Sequence, residues 1–155
     1  MISSAGDAAG RFSRPLCPSA QPDWPSARLI GVVGGTPEQA QVAFLDQPAP
    51  LSEKLLALAK PLQPTEVFRF TAPCASAACT HFGEGRCRLA SKIVRLLPEA
   101  TPELPPCPIR PQCRWWGQEG PSACLRCPQI VTQDGLQSEA WQKAADPQVM
   151  PEAVV

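Results

Sequence analysis

The chain has no tyrosine, a single histidine, four tryptophans and five phenylalanines in 155 residues. Large side chains are too few for an ample core, and below about 100 ordered residues so poor a core usually needs cross-links or metal to hold it. One histidine leaves no partner for an imidazole relay, the G-x-S-x-G nucleophile motif is missing, and no carboxylate pair stands at a diagnostic spacing. An autonomous enzyme is therefore not expected. No stretch approaches the roughly 18 apolar residues of a membrane span, and residues 1–14 hold no apolar run of the signal-peptide kind. These absences predict a cytoplasmic protein without membrane contact, whose thiols stay reduced. Gly31, Gly34 and Gly35 lack the G-x-G-x-x-G order and the following lysine of a phosphate loop, so nucleotide binding has no support.

What the chain has in excess is proline, 20 residues, and cysteine, eight. Seven cysteines and the histidine are packed together, as Cys74-x4-Cys79-x-His81-x5-Cys87 and then Cys107-x5-Cys113-x10-Cys124-x2-Cys127. That is the content of two four-ligand metal sites rather than of a disulfide framework. The simplest partition follows chain order: Cys107, Cys113, Cys124 and Cys127 hold one site, and Cys74, Cys79, Cys87 and His81 the other. An alternative keeps His81 out and brings Cys17 in.

Net charge is zero but unevenly placed. Between Arg69 and Cys127 stand eight basic residues (Arg69, Arg86, Arg88, Lys92, Arg95, Arg110, Arg114, Arg126) against Glu84, Glu99, Glu103 and Glu119. Four thiolates around Zn(II), or around an oxidised four-iron cluster, leave a charge of about -2 per site, which nearby Arg and Lys would neutralise.

Along the chain, residues 1–27 hold Pro15, Pro18, Pro22 and Pro25 among small residues and read as a disordered, proline-rich arm that carries Cys17. A single metal-binding domain is expected over 28–135, with 28–70 as scaffold and 71–132 as the cysteine-rich site region. Leu29-Ile30-Gly31-Val32-Val33 and Val42-Ala43-Phe44-Leu45 predict two antiparallel strands around a loop. Ser52 opens a short helix that Pro61 stops, and 65–70 reads as a strand with Phe68 and Phe70 on one face and Val67 and Arg69 on the other. Residues 88–97 make the clearest helix, with Leu89, Ile93, Leu96 and Leu97 on one side and Arg88, Lys92 and Arg95 on the other. Six prolines between Pro98 and Pro111 break regular structure, and 136–155 reads as an acidic flexible tail in which 138–145 can form a helical turn carrying Trp141. The fold expected is α+β: a small antiparallel sheet, two short helices and a loop-rich, metal-stabilised cysteine half.

Cys124-Leu125-Arg126-Cys127 is the tight turn that puts two sulfurs on one metal or one cluster face. The other spacings of four, five and ten residues suit a zinc knuckle poorly, whereas a four-iron cube presents ligands at four separate corners. Cys107-Pro108 and Cys127-Pro128 are similar to the closing Cys-Pro of bacterial ferredoxins, although the run C-x2-C-x2-C-x3-C is absent. In ligand chemistry the chain thus loosely resembles small bacterial cysteine-rich iron-sulfur proteins, and that resemblance implies one or two clusters of the [4Fe-4S] type, with zinc as the alternative. Trp115 and Trp116 are the aromatic candidates for covering the cofactor, one over the site and the other exposed.

The function expected is that of an iron-sulfur protein, an electron carrier or cluster-bearing accessory subunit of a larger redox enzyme, docked through the basic helix 88–97. Nucleic acid is not the expected partner. The alternative is an interaction or regulatory module, stabilised by zinc or a cluster, that binds a protein or nucleic acid.

Overall fold

The computed structural model describes residues 15–36, 39–132 and 139–149. Its fold is α+β, built on a four-stranded antiparallel sheet: β1 (Leu16–Ala20), β2 (Arg28–Gly35), β3 (Ala40–Ala49) and β4 (Phe68–Pro73), in the order β1-β4-β2-β3. The two apolar runs form β2 and β3, with Val32 opposite Ala43 and Val33 opposite Val42. Gly31 is a packing residue. A Cβ there would lie 2.8 Å from the Val42 side chain, so a close crossing of β3 explains the glycine that sequence alone leaves open.

The strand expected over 65–70 begins later. Pro64–Val67 is a helical turn, α2, closed by a capping box in which the Gln63 amide N–H donates to the Glu66 carboxylate at 2.8 Å. The strand β4 then alternates as the period-two rule requires. Phe68 and Phe70 pack edge to face at 6.2 Å with Leu29 and Ala59, beside Leu55 and Leu56 around α1 (Glu53–Ala57), whose Ser52 cap accepts from the Leu55 amide at 3.1 Å. Burying a side chain such as Phe70 contributes about 1.5–3 kcal/mol. Arg69 points the other way, into the cysteine half.

That half is organised around α3 (Arg88–Leu96), preceded by the small hairpin β5 (Phe82–Gly83) and β6 (Arg86–Cys87). Ile30 of the sheet, Leu89, Ala90, Ile93 and Leu97 of α3, Ile109, Trp115 and Ile130 form the second core cluster. Short helices α4 (Arg114–Glu119) and α5 (Pro121–Cys124) meet at Gly120, whose φ of 68° is a left-handed conformation that glycine adopts without strain. Among the described residues the structure has six short helices where two were expected. The added ones are only four to seven residues long, too short to show apolar periodicity.

Three expectations are corrected. Within residues 1–27, Leu16–Ala20 is not a mobile arm but the edge strand β1, with Leu16 opposite Pro73 and Cys17 opposite Ala72, and the Cys74 amide donating to the Pro15 carbonyl at 2.8 Å. Residues 1–14 lie outside the described residues. Within 136–155, Glu139–Ala145 is a helix, α6, with Ala144 fully buried, while 133–138 and 150–155 again lie outside the described residues. Lys92 is the reason α6 docks. Its Nζ donates to the Asp146 and Val149 carbonyls at 2.7 and 2.6 Å, a cation closing the C-terminal end of a helix. The third correction follows, because Lys92 is 1% exposed and Arg88 donates to the Phe82 carbonyl at 3.5 Å, so α3 does not present a free basic face. Among the described residues no helix is long and apolar enough to cross a membrane.

Candidate metal centres

Strand register delivers the first group of thiols. Pairing of β1 with β4 sets Cys17 beside Cys74, which follows the last residue of β4; the 3-10 turn Ser76–Ala78 brings Cys79 back; and β6 ends on Cys87, the residue that caps α3. Cys17, Cys74, Cys79 and Cys87 line one cavity, together with His81, Arg114, Trp24 and Trp115. The proline-rich loop, the turn Arg110–Gln112 and the short helix α5 supply the second group. Cys107, Cys113, Cys124 and Cys127 line a cavity with Arg110, Phe44 and Trp115. All eight cysteines are free thiols.

The second group is the set that chain order predicts. In the first, Cys17 brings a fourth thiol to the three expected ones, and His81 lies on the same wall. Trp115 is 2% exposed and is the one residue lining both cavities, whereas Trp116 is half-buried with the Arg110 guanidinium 5.7 Å from its ring centre.

Each sulfur has a hydrogen-bond donor aimed at it. The amides of Ser76, His81 and Ala90 donate to Cys74, Cys79 and Cys87 at 3.3, 3.4 and 3.5 Å. Those of Ser19, Ile109 and Trp116 donate to Cys17, Cys107 and Cys113. Cys124 accepts from the Arg110 side chain, and Cys127 from Nη2 of Arg69 at 2.8 Å. A neutral thiol is a weak acceptor, so donors at all eight positions form an environment for thiolates. Yet burial pushes the Cys17 thiol up to about 12 and raises Cys87, Cys107, Cys113 and Cys124 as well. Without a cation these groups keep their protons; a metal that displaces the protons resolves the conflict.

Arg69, one of the basic residues that the sequence offers to balance a thiolate site, gains from the fold a burial and a set of contacts that the sequence does not show. It is fully buried, and its Nε donates to the Pro18 carbonyl at 2.7 Å while Nη1 donates to the Cys127 and Ile130 carbonyls at 2.9 and 3.1 Å. No carboxylate lies within ion-pair distance of it among the described residues. An isolated buried cation costs several kcal/mol, so its counter-charge has to come from the sulfurs beside it. The only sequence signal was a charged residue inside an otherwise apolar strand pattern.

Gln118 ties the two cavities' supports together. Its Oε1 accepts from the Cys87 amide and its Nε2 donates to the Cys87 carbonyl, both at 2.8 Å. Glu119 beside it accepts from Arg86 at 2.9 Å and Ser91 at 3.0 Å; although burial works to raise its pKa, the hydrogen bonds from Gln118, Ser91 and Arg86 hold it below the usual carboxylate range.

Compared with protein-family models, with curated proteins and with solved structures, the chain matches none. The case for a cofactor therefore rests on the donor set. The free space is about 50 Å³ in the first cavity and about 20 Å³ in the second. Among the described residues, no three His, Cys, Asp or Glu side chains converge closely enough to hold a single metal ion. Among the described residues, three buried side-chain nitrogens lack any hydrogen-bond partner, and all three belong to residues on the cavity walls: His81 Nδ1 and Arg114 Nε at the first, Arg110 Nε at the second.

Proposed function

We propose that the chain is an iron-sulfur protein that carries electrons, alone or as a cluster-bearing subunit of a larger enzyme. Its two cysteine sets each hold one cluster, of the [4Fe-4S] type. The observation that carries this reading is the placement of the unpartnered arginine nitrogens. A guanidinium Nε–H can only donate. Tetrahedral zinc with four thiolates brings no new acceptor, whereas a cluster would bring inorganic sulfides into the cavities that Arg110 and Arg114 line. Leaving such donors buried and unmade costs about 1–3 kcal/mol each.

A bound cluster supplies a one-electron store, and the chain's residues do the rest. Eight thiolates hold, amide N–H groups and arginines balance the charge, and Trp115, Phe44, Ile30 and Leu89 exclude water.

The test is reversible reduction. Protein purified without oxygen should bleach near 400 nm with dithionite, as expected for thiolate- and sulfide-to-iron absorption, and recover on reoxidation with its iron retained. Protein with full iron that takes up no electrons, or sheds its iron on one cycle, would refute the carrier role.

A further inference from the structure

Strand β1 brings Cys17 to the first cavity, and its pairing with β4 is interrupted beside that cysteine. The register runs from Leu16 opposite Pro73 to Cys17 opposite Ala72, then shifts before Ala20 meets Phe70. Pro18, inside the irregularity, has no N–H to give to a ladder. Side chains take over there. Thr71 Oγ1 donates to the Cys17 carbonyl at 2.8 Å, Arg69 Nε donates to the Pro18 carbonyl at 2.7 Å, and the Ser19 and Thr132 hydroxyls share a hydrogen bond of 2.7 Å.

Two of these ties run to residues 127–132. Besides Pro18, the buried Arg69 guanidinium reaches the Cys127 and Ile130 carbonyls through Nη1 and Cys127 Sγ through Nη2, the last at 2.8 Å. Among the described residues, its four hydrogen bonds go to Pro18, Cys127 and Ile130. A guanidinium is a rigid planar fork, so the directions of Nε and Nη2 are not set independently. A shift of Cys127 therefore turns the donor that holds Pro18, the neighbour of Cys17.

We infer that Arg69 is a positioning residue, locking strand β1 to residues 127–130 so that occupancy of the second cysteine group fixes the place of Cys17 in the first. This rests on the reading above that the second group holds an inorganic cofactor. Cys127 serving as a ligand is held in place, and Arg69 carries that restraint to β1. The edge strand, docked or released, is the element that both groups bias, and such coupling is reciprocal.

The test is the rate at which iodoacetamide alkylates Cys17 on the full chain purified without oxygen, read by peptide mass spectrometry. Hydrogen exchange over Leu16–Ala20 and the iron, sulfide and zinc content are measured on each sample. Cys124→Ala removes a member of the second group that is not among the partners of Arg69. It should speed alkylation of Cys17 roughly fivefold or more and lower protection in β1, with Val32 and Val33 as protected as in wild type. Arg69→Lys keeps the charge but not the fork; it should expose Cys17 likewise, and adding Cys124→Ala to it should expose Cys17 no further. If the Arg69 variant fails to fold, Cys124→Ala alone decides. Cys17 as protected in Cys124→Ala as in wild type, with iron or zinc lowered, would overturn the inference and leave the cofactor reading standing. Further exposure in the double variant, or equal loosening of Val32 and Val33, would overturn it too. A wild type without iron, sulfide or zinc would remove the cofactor reading, and the inference with it.

Discussion

At the scale of single residues, Cys17 and His81 exchange the standing that spacing implies. His81 sits two residues from Cys79 and reads as a ligand, and Cys17 lies 57 residues before Cys74 among prolines and reads as a bystander. Strand pairing reverses the order of importance, since Cys17 faces Ala72 across the sheet and is buried beside Cys74, Cys79 and Cys87. Burial first, then the charges of Lys92 and Arg88, lowers the His81 pKa, so a neutral imidazole borders the cavity. Replacing Cys17 by alanine should therefore remove roughly half of the bound iron, one cluster of two, while His81→Ala keeps the full complement. Iron analysis of the two variants checks this, and full iron in Cys17→Ala would return the fourth position of the first site to His81.

At the scale of elements, the sequence was legible where apolar residues repeat. The continuous apolar runs at Leu29 and Val42, the Ser52-capped helix and the helically spaced apolar residues from Arg88 all stand near their expected places. What could not be read is order imposed from outside the segment. The strand β1 contains Pro18 and has no alternation to announce it; it exists because β4 offers an unpaired edge, and Pro is tolerated on an edge strand. The C-terminal helix α6 was legible as a helical turn over 138–145, but its docking was not, because it comes from outside the segment, from the Lys92 ammonium on the Asp146 and Val149 carbonyls. Lys92→Met should leave those carbonyls without their donor and cost about 1–3 kcal/mol locally, which converts to a loss of amide protection in Glu139–Ala145 of roughly 5- to 150-fold. Hydrogen exchange measures it directly. Unchanged protection in that helix would mean that Ala144 packing alone fixes it.

At the scale of the whole molecule, the sheet and the cysteine half are interlocked rather than joined end to end. One core cluster, with Phe68 and Phe70, belongs to the scaffold; the other mixes Ile30 of the sheet with α3, Trp115 and Ile130. Arg69 crosses from the first into the second and meets its counter-charge there. The placement of seven cysteines in two short stretches was enough to foresee two cysteine groups, of which the second has the expected members, because cysteine spacing is a local property. The pairing of each site's sulfurs with donors, and the buried cation between them, are long-range and appear only once the chain is folded. The most direct test of the account is the metal and acid-labile sulfide content of the full chain purified without oxygen. Two four-iron clusters predict about eight iron and about eight sulfide per chain; colourless protein holding about two zinc ions per chain and no sulfide would contradict it.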